Sequence, residues 1–194
     1  YQAEISQGRL EALFNYQTLI TELTGLPVAN ASLLDEGTAA AEAMLLAHSQ
    51  SKKKDFIVDD KLFPQTLEVL QTRARPLGIN IVKVDLDKLV DLESLEKAFG
   101  VIIQYPNNHG ALKYHDGFLR CAEAYKCMKI AIVDPLCQVL MKPVGEMGFD
   151  VAVGSMQRFG VPMGFGGPHA AFFATTDKYK RKIPGRIVGQ SVDA

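Results

Sequence analysis

Apolar positions along the chain switch between two periods. Leu10, Leu13, Phe14, Ile20 and Leu23 recur at helical spacing from about Ser6, and Gly25 suits the left-handed position that ends a helix. Asn30-Ala31-Ser32 leads through Leu33-Leu34 into an alanine-rich stretch, which predicts a helix over 39–47. Short apolar runs then predict strands over 55–58, 79–84, 101–103, 130–133, 151–153 and 170–174. Helical patterns separate them over 64–73, opened by Pro64, over 92–99 and over 118–125. Continuous apolar strands alternating with helices predict an α/β fold, a mostly parallel sheet with helices on both faces.

Composition narrows the reading in a few places. Lys plus Arg is 21 and Asp plus Glu is 22, so charge offers no argument for nucleic acid or a membrane surface as partner. No apolar run approaches the roughly 20 residues that span a bilayer. Cys121, Cys127 and Cys137 form no CxxC pair, and they read as small buried hydrophobes in a reducing compartment. The Lys52-Lys53-Lys54 run reads as a solvated helix end. At 194 residues the chain suits one domain, and a start at Tyr1 without Met reads as a fragment of a longer protein.

In open parallel sheets, ligands bind beyond the carboxyl ends of the strands. The chemistry therefore belongs to the residues just after each predicted strand. Gly37-Thr38 opens a helix, where backbone N–H groups and the dipole favour a phosphate. A helix opening alone would suit that description equally well. Gln104 to Gly110 follows a strand and contains His109, which could stack on a flat ligand or simply occupy a surface turn. Asp134 follows another strand and could hold a cationic ring nitrogen or cap a loop. Gly154-Ser155-Met156-Gln157-Arg158 follows a third strand, before a glycine-rich loop over 160–167 where backbone can approach a ligand closely.

That order of parts is the order found in fold-type I pyridoxal-phosphate enzymes. Four segments, residues 1–10, 34–43, 157–172 and 184–193, make the resemblance specific: they resemble the N-terminal half of the glycine-cleavage-system P-protein family. The family is built from two related halves, fused or separate, and only the C-terminal half carries the cofactor lysine, in a His-Lys pair. Here Gln157-Arg158 stands in the matching position. Arginine stays protonated and is no amine nucleophile for an aldehyde.

The resemblance therefore implies a fold-type I transferase-like large domain over 1–194 with a pseudo-site at Gly37, Thr38, His109 and Asp134. It also implies a partner role. Tyr1 and Gln2, with Gly164, Gly166 and Gly167 of the glycine-rich loop, are expected to reach the site of the other half. The implied activity is decarboxylation of glycine with pyridoxal 5'-phosphate held by that other half, and transfer of the aminomethyl group to the lipoyl arm of the H-protein. The expected partners are the C-terminal half or second subunit, the lipoylated H-protein and glycine, with neither nucleic acid nor membrane. The expected compartment is the mitochondrial matrix in a eukaryote and the cytoplasm in a bacterium. A non-catalytic structural or regulatory partner domain is the alternative, and an aminotransferase-like protein with an atypical lysine is a second one.

Overall fold

The computed structural model describes residues 5–88 and 92–190. Helix α1 (Gln7–Thr24) ends at Gly25, whose φ of 67° is the left-handed cap expected from the sequence. Strand β1 (Val28–Ala29) follows, then α2 (Glu36–His48), β2 (Asp55–Asp59), α3 (Pro64–Ala74) and β3 (Asn80–Val84). The second half contains α4 (Leu92–Lys97), β4 (Ala98–Tyr105), α5 (Asp116–Ala124), β5 (Met128–Val133), α6 (Cys137–Leu140), β6 (Val151–Ser155) and β7 (Ala171–Thr175).

The strands form one seven-stranded sheet in the order β1-β7-β6-β5-β4-β2-β3. Pairing from β3 through β2, β4 and β5 to β6 is parallel, and β7 and β1 add antiparallel at the far edge. A two-sided sheet explains why β4 and β5 are apolar throughout. Ile102, Ile130 and Ile132 point to one face, against α2. Ile103, Ala131 and Val133 point to the other, in the core that includes Ile20 of α1. Ala98 and Val101 pack in a third cluster with Leu95 of α4 and Ala122 of α5.

Helix α2 begins with a reciprocal capping box. Thr38 N–H donates to Asp35 Oδ1 at 2.8 Å and its hydroxyl to the same oxygen at 2.7 Å. The Asp35 N–H donates in return to Thr38 Oγ1 at 3.3 Å. A cap of this kind stabilises a helix by about 1 kcal/mol. Ala39, Ala40, Ala41 and Ala43 are completely buried, and their small side chains let the helix lie close to the sheet. At the far edge, Asn30 accepts from Phe173 N–H at 3.2 Å and donates to the Pro184 carbonyl at 3.1 Å. Gln17 holds Val188 by two 2.8 Å bonds, so the C-terminal stretch runs against α1.

Several expectations change. The pattern over 92–99 reads as one helix, but α4 stops at Lys97 and Phe99 belongs to β4. Phe99 is buried there and stacks on Phe56 at 5.2 Å, so sheet packing overrides local helical spacing. The Lys52–Lys54 run is not a helix end: α2 stops at His48, and Lys53 Nζ donates to the Tyr125 carbonyl at 3.1 Å. Cys127 is buried, whereas Cys121 and Cys137 are only partly so. Strand β7 runs antiparallel to both of its neighbours, β6 and β1, an orientation that apolar runs alone do not specify.

The strictest packing requirement near the carboxyl edge is at Gly154. A Cβ there would lie 2.1 Å from the Val133 carbonyl oxygen and 2.7 Å from the Phe172 ring. Gly154→Ala should therefore destabilise by about 1–3 kcal/mol. Gly117, in α5, has nothing within 4 Å of an added Cβ. Gly117→Ala should be neutral or stabilising by up to about 1 kcal/mol. Urea midpoints of the two variants against the parent check the contrast.

Candidate functional site

A cavity of about 570 Å³ opens beyond the carboxyl ends of β4, β5 and β6. Its lining includes Glu36 from the first turn of α2, Gln104 and Tyr105 from β4, Asp134 after β5, and Ser155, Gln157 and Arg158 at and after β6. Parallel pairing delivers all three strand ends to one edge, while α2 presents its N-terminus to the same place.

The central contact is an ion pair. Arg158 Nε lies 3.0 Å from Asp134 Oδ2, with the aspartate side chain 20% exposed and the arginine 59% exposed. Such a pair contributes about 0–1 kcal/mol to stability, so its weight is chemical. Asp134 also accepts from the Leu136 N–H at 2.9 Å. Gln104 accepts from the Phe63 N–H at 2.9 Å and donates to Glu36 at 3.3 Å. Gln157 donates to the Pro168 carbonyl at 2.9 Å, tying the glycine-rich loop to the cavity wall.

Glu36 is a lining carboxyl whose acidity is displaced. Burial, then the negative charges of Asp134 and Asp35, push its carboxyl up to about 7, and a hydrogen bond with Thr66 opposes them. Nothing in the apolar pattern of the chain marks this residue. An acid directly before Gly37-Thr38, at a helix start read as phosphate-binding, was the available sign.

The other expected residues divide. Asp134 and Arg158 meet in the cavity. Gly37 and Thr38 are in the first turn of α2 but are not among the lining residues. Gly37 serves packing, since a Cβ there would press on Val69 of α3 at 3.3 Å. His109 is exposed and outside the lining, in a turn held by Asn107, whose Oδ1 accepts from its N–H at 3.0 Å. Stacking by His109 on a ligand in this cavity therefore has no support in the geometry. Gly164 and Gly166 bound a 3₁₀ turn, with Gly167 at φ 70° after it. Met163, which lines the cavity, is 83% exposed and Phe165 is fully exposed on that turn. Tyr1 and Gln2 lie outside the described residues.

The residues present do not fit a pyridoxal phosphate bound in this chain. The Thr38 N–H and hydroxyl are both committed to Asp35. Glu36 places a further acid at the helix end, Asp134 is already neutralised, and position 158 has no amine. Among the described residues, no group of three or more His, Cys, Asp or Glu is arranged to hold a metal ion, and no helix is long and apolar enough to cross a membrane.

The sheet order, with a cavity at the carboxyl edge beside the α2 N-terminus, is that of the fold-type I class of pyridoxal-phosphate-dependent enzymes. Within that class the chain belongs to the glycine cleavage system P-protein family, whose model matches residues 1–194. A glycine dehydrogenase (decarboxylating) from Prochlorococcus marinus is 58% identical over the whole chain, which covers 20% of that protein. A mitochondrial glycine dehydrogenase (decarboxylating) from Solanum tuberosum is 53% identical, with 100% of this chain and 19% of the relative covered. The crystal structure of an inhibitor-bound glycine decarboxylase (P-protein) superimposes with a TM-score of 0.91 at 39% identity, covering 100% of this chain and 45% of that one. The chain thus spans about a fifth of the length of the curated relatives it matches.

The acidity of Glu36 sets a pH dependence. Its carboxyl titrates higher in the folded protein than the usual 4.5. The stabilisation is therefore complete below about pH 4.5 and is lost as pH rises through about 7. Glu36→Gln keeps the hydrogen-bonding shape and removes the titration. Denaturant midpoints at about pH 5 and about pH 8 should show the parent losing ground to the variant as pH rises. A constant gap would place Glu36 in an ordinary solvated setting.

Proposed function

We propose that this chain is the lysine-less half of a glycine decarboxylase. In this reading the whole protein decarboxylates glycine and passes the aminomethyl group to the lipoyl arm of the H-protein. Membership of the P-protein family supports the activity. The partner role rests on one observation: the position that would carry the cofactor lysine holds Arg158, paired with Asp134. Pyridoxal phosphate, which supplies an electron sink for the carbanion left when CO2 departs, belongs in this reading to the other half.

This chain's own contribution is to shape and dry the partner's site. Met163 and Phe165 on the glycine-rich loop, 83% and fully exposed, are apolar side chains that a partner half would cover, and so is Leu140, 86% exposed at the end of α6. Gly164, Gly166 and Gly167 give the turn carrying Phe165 the backbone freedom to reach outward; Phe165 itself has a φ of 51°. Tyr1 and Gln2 are proposed to reach the same interface. The domain is taken to be one large fold-type I unit within a longer protein. Its compartment is taken to follow the host, mitochondrial matrix or bacterial cytoplasm.

Borohydride reduction of the full-length protein with bound pyridoxal phosphate, followed by peptide mapping, should place the pyridoxyl group outside residues 1–194. A stoichiometric label on any lysine of this chain would overturn the reading.

Tyr1→Ala separates a contributing half from a merely structural one. In the assembled enzyme, at equal cofactor occupancy, glycine–bicarbonate exchange should fall on the order of 10²-fold if the hydroxyl donates into a water-poor site. Exchange and occupancy both unchanged would favour the structural alternative.

A further inference from the structure

We infer that the cavity excludes pyridoxal phosphate by two separate locks, one at each end, so that restoring the missing lysine would not by itself restore binding. This deepens the proposed lysine-less role and rests on it. The first lock is the ion pair between Arg158 and Asp134, which occupies both the amine position and the carboxylate that would face a pyridine nitrogen. The second is the N-terminus of α2, where Asp35 takes the N–H and hydroxyl of Thr38 and the Glu36 carboxyl lines the cavity.

The two locks act on different parts of the cofactor. A helix start is a ready anion site only while its N–H groups are free and no other negative charge stands there. Here one donor pair is committed to a side chain of the same chain, and two acids precede Gly37. A phosphate dianion would meet the Asp35 carboxylate, and the Glu36 carboxyl beside it, where it needs free donors. At the other end, the Arg158 guanidinium supplies no neutral amine to attack an aldehyde, which a lysine in its place would supply. With no phosphate anchor, nothing would hold the aldehyde near that amine long enough to react. Hydrogen bonds linking Glu36 to Gln104, and Gln104 to Phe63, keep the acid turned toward the cavity.

The test uses the full-length protein, pyridoxal 5'-phosphate as probe, borohydride reduction and peptide mapping at position 158. In the labelling reaction the lysine amine condenses with the aldehyde and releases water, and borohydride reduces the C=N bond to a stable secondary amine. Arg158→Lys alone should show no label at position 158. Arg158→Lys combined with Asp35→Ser and Glu36→Ala should become labelled there, since serine still caps the helix while both carboxylates are removed. Far-ultraviolet circular dichroism and a melting curve establish that each variant is folded. Label in the single variant equal to that in the combined one would overturn the second lock. A folded combined variant that stays unlabelled would overturn the inference that these two locks suffice. Neither result bears on the parent protein, whose labelled lysine, wherever it maps, tests the proposed function separately.

Discussion

Parallel pairing of β2, β4, β5 and β6 is the constraint from which the rest of the structure follows. Strands running the same way must be joined by crossovers, and here helices supply most of them. Those helices bury both faces of the sheet, so the strands carry few polar groups along their length. Polar chemistry is displaced to the strand ends. Tyr105, Asp134 and Ser155 stand at three such ends, and α2 aims its first turn at the same edge.

At that edge charge decides what the cavity can do. Asp134 has Arg158 as its counter-ion, while Glu36 has none among the described residues and answers burial by holding its proton to about 7. A carboxyl that stays neutral in a partly buried site costs little desolvation and can still hydrogen-bond to Gln104. The result is a cavity with the architecture of a cofactor site but with its own side chains saturating the groups a cofactor would use. Met163 supplies exposed apolar area in the cavity lining.

The glycines show how differently one residue type is used. Gly25 ends α1 through a positive φ, and Gly145 is required because a Cβ there would come within 2.4 Å of the Gly25 carbonyl oxygen. Gly37 lets α2 approach α3. The same Gly37-Thr38 pair, seen in sequence, suggests a phosphate cradle. In the fold Gly37 packs against Val69 and Thr38 caps α2 through Asp35.

Sequence alone determined the alternation of strands and helices, because burial on two faces or one leaves its period in the apolar pattern. Six strands, β2 to β7, and the ends of α1 and α3 could be read that way. It also established the absence of an amine at position 158, since arginine chemistry does not depend on surroundings. Tertiary structure decided which donors remain available and how acids titrate. Thr38 is spent on Asp35, Glu36 feels Asp134 only because β5 ends beside α2, and His109 falls outside the cavity. It also decided that Phe99 joins the sheet and that β7 reverses direction. These outcomes depend on desolvation and on competition among hydrogen-bond partners distant in the chain, and neither leaves a periodic trace in the order of residues.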